Sequence, residues 1–276
     1  MINIIISLWV IFFIYIGYLI FSYYKQKYLI KKFQNTPFPD EYKQYLSKIK
    51  HYNYLDDKLK RKIETSIMIF INTKKFIGVK LNITDEIKVV ISFYACLIVL
   101  NKNECYDELE AIYVYPHTMI LDSVRGNGGI YTKENFLISG EAVGDAVVIA
   151  WDEVKRDVYH YRNQNVIVHE FTHELDFESG IVNGVPPLER SKYNEWVNIM
   201  SKNYDEFVKR VTSHKNLDKY KLINPYGATN EAEFFAVLSE MFWMKPKTLK
   251  LHFPDIYDEF KEFFGVDTYK MFTSNK

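Results

Sequence analysis

Residues Ile4 to Tyr24 read IIISLWVIFFIYIGYLIFSYY, 21 residues without a charge. Such a run leaves few folding options. As a helix it is about 31 Å long, the thickness of a bilayer's hydrocarbon core. Its apolar side chains occupy the whole circumference, whereas a core helix normally confines them to one face. Trp9 stands toward one end, and Tyr23, Tyr24 and Tyr28 cluster at the other, as aromatic residues do at membrane edges. Lys25, Lys27, Lys31 and Lys32 follow, and no Lys or Arg precedes the run. That asymmetry places the C-terminal side in the cytoplasm. A cleaved signal peptide fits poorly, because a basic n-region and a small-residue cleavage site are both missing and the run is too long. The expectation is a single-pass helix, residues 1–24, in the inner (cytoplasmic) membrane, inserted through residues 4–24.

Residues 25–53 read as a charged linker and helical lead-in, with Thr36-Pro37-Phe38-Pro39 as a breaker. Residues 54–276 are long enough for one substantial domain. The 35 basic and 35 acidic residues cancel, so nothing in the charge suggests nucleic acid as a partner. The two cysteines, Cys96 and Cys105, do not make a disulfide framework, and Cys96 lies in an apolar run expected in the core.

Apolar spacing predicts helices over Asp56–Asn72 and Asp85–Leu100, the latter capped by Thr84. Phe76–Leu81, Leu109–Tyr115, Thr118–Leu121, Phe136–Ser139 and Ala146–Trp151 read as strands, with a glycine-bearing loop at Ser123–Gly129. Ser191–Arg210 has an inward face of Tyr193, Trp196, Val197, Met200 and Tyr204 at helical spacing. After Trp151 the pattern is helical almost to the end. Helices, then strands, then helices favour an α+β fold with a small β-sheet and a helical C-terminal half.

Asn163 to Gly180 carries the chemistry. Asn163 or Asn165 can cap a helix there and Gly180 can end it. Within it His169-Glu170-Phe171-Thr172-His173 matches H-E-x-x-H. Two histidines four residues apart share a helix face, so both imidazoles can reach one zinc ion at ~2.0–2.1 Å. Glu170, next to the first ligand, is placed to act as general base on an attacking water. A catalytic zinc needs a third protein ligand. Asp176 lies three residues beyond His173 on the same face. Glu233 lies on a separate predicted helix, Glu231–Met244, and shares a stripe with Glu240 seven residues later. Spacing alone leaves both candidates open.

Three blocks resemble the Mlc titration factor A family of zinc peptidases: Val166-Ile-Val-His-Glu-Phe-Thr-His-Glu-Leu-Asp176, Asn183-Gly-Val-Pro-Pro-Leu188, and Tyr226-Gly-Ala-Thr-Asn-Glu-Ala-Glu-Phe-Phe-Ala-Val-Leu-Ser-Glu-Met-Phe242. Weaker likeness runs through Tyr113-Val-Tyr-Pro116, Ser139-Gly-Glu and Phe253-Pro254, so the resemblance covers roughly residues 37–268 and leaves the apolar N-terminus outside. It implies a zincin-like metallopeptidase of the gluzincin type, similar to the catalytic domain of anthrax lethal factor. It implies one zinc held by His169, His173 and Glu233, with Glu170 as base and Tyr226 assisting catalysis. Glu240 then supports a zinc-bound histidine, and Asp176 orients His173 or the helix end. The substrate implied is a peptide or protein. The family's name implies a second reading, a regulatory protein that sequesters a transcriptional repressor with peptidase activity incidental; a zinc-binding scaffold without activity is a third.

Overall fold

The computed structural model describes residues 2–102, 106, 108–117, 146–160, 163–213 and 218–273, leaving aside the side chains of 2–5, 8 and 26. The expected strands Thr118–Leu121 and Phe136–Ser139, the loop Ser123–Gly129, the Ser139-Gly-Glu likeness and Cys105 lie outside those residues.

The chain opens with α1 (Ile2–Gln34), which continues without a break through the basic segment after Tyr24. Phe33 near its end is buried, and this end packs on α4 (Asp57–Thr73). Among the described residues no helix is long and apolar enough to cross a membrane. The expected span over residues 4–24 is therefore not matched by any described segment. Between α1 and α4 lie two short helices, α2 (Asp40–Leu46) and α3 (Lys50–Tyr54).

Three short strands, β1 (Lys75–Gly78), β2 (Ala111–Tyr115) and β3 (Ala146–Ala150), form one sheet in the order β1-β2-β3. Both pairings are parallel, with Lys75 opposite Ala111 and Ala111 opposite Ala146. Parallel neighbours need a crossover, and α5 (Asp85–Ile98) supplies the one from β1 to β2. Thr84 caps α5, its hydroxyl accepting from the Ile87 N–H at 3.3 Å. From Val89 to Leu100 every residue of this segment is buried, Cys96 included. A run this apolar, with Ser92 and the Tyr94 hydroxyl its polar exceptions, has to sit in the middle of a core, and α5 is its axis.

The remaining described elements are helical: α6 (Trp151–Tyr159), α7 (Val166–Phe177), α8 (Tyr193–Ser213), α9 (Glu231–Met244), α10 (Pro246–His252), α11 (Pro254–Phe264) and α12 (Thr268–Thr273). Helices before and after a small sheet make this an α+β architecture. α7 packs on α5, β3 and α9, which places it at the centre. Helix α8 buries Trp196 and Met200, with Val197 and Tyr204 half-buried. Tyr193 instead is 50% exposed, a correction to its expected inward position. It is the first residue of the helix, one turn short of where the helix meets the core. Trp196 stacks on Phe260 of α11 at 5.4 Å and meets Phe235 of α9 edge-on at the same separation. Aromatic pairs of this geometry add about 0.5–1.5 kcal/mol each beyond area burial. They hold α8 and α11 behind α9 and fix the helix on which Glu233 sits.

Candidate metal centre

The start of α7 is tied down at three backbone N–H groups. The first N–H groups of a helix lack intrahelical acceptors. Here Asn165 Oδ1 accepts from the N–H of Ile167 and of Val168, both at 3.1 Å, and Asp157 Oδ2 accepts from Val166 at 3.0 Å. The Asn165 N–H itself donates to Glu240 Oε2 on α9 at 2.8 Å. Of the two asparagines at this end, Asn165 is the cap. At the far end α7 stops at Phe177, and Gly180 follows at φ +90°, a conformation favouring glycine.

Helix α9 starts with similar economy. Asn230 Oδ1 accepts from the Glu233 N–H at 2.9 Å, placing Glu233 in the first turn. Just before it, Pro225–Ala228 forms a 3₁₀ turn, with Asn224 Oδ1 accepting from the Tyr226 N–H at 3.1 Å. That turn folds Tyr226 back so that its hydroxyl donates to Glu233 Oε1 at 3.1 Å.

The packing of α7 on α9 brings His169, His173 and Glu233 together, with one donor atom from each lying within 4.8 Å of the others. His169 Nε2 is 2.9 Å from Glu233 Oε2, and His173 Nε2 is 3.5 Å from the same oxygen. The two rings are 5.0 Å apart at nearly right angles. Ligand atoms around a tetrahedral zinc at ~2.0–2.1 Å are separated by about 3.3 Å. Two neutral imidazoles and one carboxylate at this spacing fit a divalent cation. Behind His169, Glu240 Oε1 lies 2.8 Å from Nδ1, so the ring's Nε2 is aimed at Glu233. Glu240 thus holds both His169 and the helix cap with its two oxygens.

The electrostatics also favour a cation. Burial by itself would lower the His169 pKa, but its hydrogen bonds to Glu233 and Glu240, with the charges of Glu240 and Glu170, raise it to about 10. Burial would push the Glu233 carboxyl up, but His169 and His173 outweigh it and hold it well below the usual carboxylate range. Positive charge is stabilised between these side chains whether a proton or a metal carries it.

Of the other expected site residues, Glu170 is half-buried beside His169 on α7. Tyr226 faces the ligand set, its ring 6.0 Å from that of His169. Asp176 stands apart from the three donors. It is fully buried, its Oδ2 accepts from the Gly184 N–H at 2.6 Å, and burial pushes its carboxyl pKa up. Residues that position the site but escaped sequence reasoning include Asp157, Asn230 and Gly184. For Asn230 a signal existed, an Asn three residues before a Glu at a helix start. For Asp157 none did, since its acceptor role depends on a separate helix.

Comparison with known proteins points to a metallopeptidase family. Residues 22–265 match the family model of glucose-regulated metallo-peptidase M90. An uncharacterized protein of Synechocystis sp. is 31% identical over 245 residues, 86% of this chain and 88% of that protein. Proteins named Mlc titration factor A are similar as well. That of Pectobacterium atrosepticum is 28% identical over 218 residues, covering 77% of this chain and 81% of its own. That of Serratia proteamaculans is 27% identical over 192 residues, covering 67% and 71%.

Proposed function

The chain belongs to the glucose-regulated metallo-peptidase M90 family, and on that footing we propose that it is a zinc-dependent, gluzincin-type peptidase. The observation that carries this reading is the convergence of His169, His173 and Glu233, from two separate helices, on one cation-sized locus. His169, His173 and Glu233 would hold one zinc per chain. Zinc is the divalent ion whose preferred ligands and tetrahedral geometry suit two imidazoles, a carboxylate and one open position. When bound there it supplies a Lewis acid that polarises the scissile carbonyl and acidifies the attacking water.

The chain's own groups do the rest. Glu170 takes a proton from the attacking water as the C–O bond forms, and delivers it to the amine nitrogen as the C–N bond breaks. Tyr226 donates its hydroxyl hydrogen to the carbonyl oxygen as charge develops; one such donor is worth roughly 3–4 kcal/mol. Glu240 keeps His169 in the tautomer that presents Nε2. The substrate is a peptide or protein.

Glu170→Gln tests the assignment. It should abolish hydrolysis of amino-acyl and peptide chromogenic substrates while zinc stoichiometry stays near one. Hydrolysis that survives the substitution removes Glu170 from the mechanism. The relatives' name, Mlc titration factor A, favours a second reading, a protein that sequesters a transcriptional repressor with peptidase activity incidental. Under that reading Glu170→Gln leaves repressor binding and the regulatory output intact.

The same proposal includes anchoring by residues 4–24, with the catalytic domain in the cytoplasm. Support comes from α1, where Trp9 to Ile14 are each about half-exposed or more, on all sides of one helix. Four lysines follow on its C-terminal side. The full chain should remain in the membrane pellet after alkaline carbonate washing. Its release into the supernatant refutes an integral anchor.

A further inference from the structure

A cavity of about 250 Å³ lies apart from the metal centre, and none of His169, His173 and Glu233 lines it. Separate parts of the chain wall it. Helix α3 brings Lys50, His51 and Tyr54, α6 brings Asp157, α12 brings Phe272, and the junction of α9 and α10 brings Trp243 and its successors. The walls are of two kinds. Lys50, Lys245 and Lys247 present ammonium groups, against which Asp157 sets one carboxylate. That carboxylate is already engaged, its Oδ2 accepting from the Val166 N–H at 3.0 Å. The rings of Tyr54, Trp243 and Phe272 supply flat, largely apolar surface.

The protein leaves this positive charge without a counter-ion. Among the described residues neither Lys245 nor Lys247 forms an ion pair with a carboxylate. Lys245 is half-buried, and burial lowers its pKa while the charge of Glu240 opposes the shift. Lys50 Nζ stands 5.7 Å from the centre of the Tyr54 ring, and its charge adds to burial in lowering the His51 pKa to about 4. His51 therefore offers the cavity a neutral ring. Trp243 is fully buried, and its Nε1 has no hydrogen-bond partner among the described residues. A desolvated ammonium and an unpaired buried N–H are both costly, and one anion in the cavity relieves both.

We propose that this cavity binds a small phosphate monoester carrying a flat apolar group. A phosphate monoester has a charge of about −2 at neutral pH, which matches the excess of three lysines over one carboxylate. Lysine suits it as a point charge that needs no fixed geometry. Lys245 and Lys247 hold the phosphate oxygens, Lys50 adds its field, and Trp243 Nε1 donates to one oxygen. The organic group lies along Tyr54 and Phe272. The inference does not depend on the zinc-peptidase reading.

The test titrates phenyl phosphate, inorganic phosphate and phenol into the full chain in a non-ionic detergent, once with zinc and once with a chelator. Calorimetry reads affinity, and ¹⁵N–¹H NMR follows the Trp243 indole. One phenyl phosphate should bind per chain under both conditions and shift that resonance. Inorganic phosphate should bind more weakly, and phenol should not bind. Lys245→Gln and Lys247→Gln should each weaken phenyl phosphate by about 10- to 100-fold, with circular dichroism unchanged. No saturable binding overturns the proposal, as does affinity that ignores both substitutions. Binding seen only with zinc belongs to the metal centre and overturns it too. An unmoved Trp243 resonance at saturation places the ligand elsewhere, with the same consequence. Phenol or inorganic phosphate binding as tightly as phenyl phosphate removes the proposed ligand class. Should Lys245→Gln not fold, exposed Lys247 decides: a folded Lys247→Gln chain of unchanged affinity overturns the site.

Discussion

His51 shows how burial sets the behaviour of a single side chain away from the metal. Its Nδ1 lies 3.1 Å from the Tyr94 hydroxyl and its ring meets Phe272 edge-on at 4.9 Å. Burial first, and then the charge of Lys50, lower its pKa to about 4, although a hydrogen bond with the Trp243 backbone opposes the shift. The unfolded chain binds the proton near pH 6.5 and the folded chain does not until about pH 4. Stability from the neutral ring is therefore complete above the unfolded value and falls away as pH drops through the folded one. The loss is on the order of 3 kcal/mol. His51→Gln should flatten that part of the curve, seen as a urea midpoint that changes less between pH 7 and pH 4.5 than in the unsubstituted chain. Equal slopes for the two chains reject the assignment. Nothing in the sequence around His51 announces this behaviour, because the ring's neighbours arrive from α5 and α12. The His169 and His173 pair, by contrast, was legible, because four residues of helix place two side chains on one face whatever surrounds them.

At the scale of elements, α7 depends on its cap. Asn165→Ala removes two hydrogen bonds to orphan N–H groups and should cost about 1–2 kcal/mol, measured by urea unfolding. It should also weaken zinc binding, since a loosened first turn of α7 shifts the backbone N–H that Glu240 holds while orienting His169. A variant with unaltered unfolding midpoint shows that the cap is dispensable. Helices marked by apolar spacing or by long apolar runs, α4, α5 and α9, could be read almost to their ends; Thr84 stands as the expected cap, whereas Asp56, read as a helix residue, caps α4. The parallel direction of the strands could not be read. Alternation and β-branched composition mark a strand without saying which neighbour it pairs with or in which sense.

Over the whole molecule, a metal held as proposed would cross-link α7 and α9, which are about sixty residues apart in sequence and joined otherwise by packing. An ion present at about a thousandfold excess over its dissociation constant stabilises the folded state by about 4 kcal/mol. For a domain of this size, that corresponds to roughly 8–16 °C in melting temperature. Treatment with a chelator should lower the transition by that order in scanning calorimetry, and added zinc should restore it. A transition that ignores both treatments argues against one ion bridging the two helices.

Local chemistry alone determined a good deal here: a helix bearing two imidazoles and a neighbouring carboxylate, a long uncharged N-terminal helix, and a buried axis in α5. These follow from periodicity, capping and hydropathy, which act within a few residues. Tertiary structure decided which carboxylate faces the imidazoles. Glu233 and Asp176 were equal candidates by spacing, and the packing of α9 against α7 brought the first into line with both rings while turning the second toward Gly184. Contact between distant elements depends on how their apolar faces interlock, and that information is spread over the whole core.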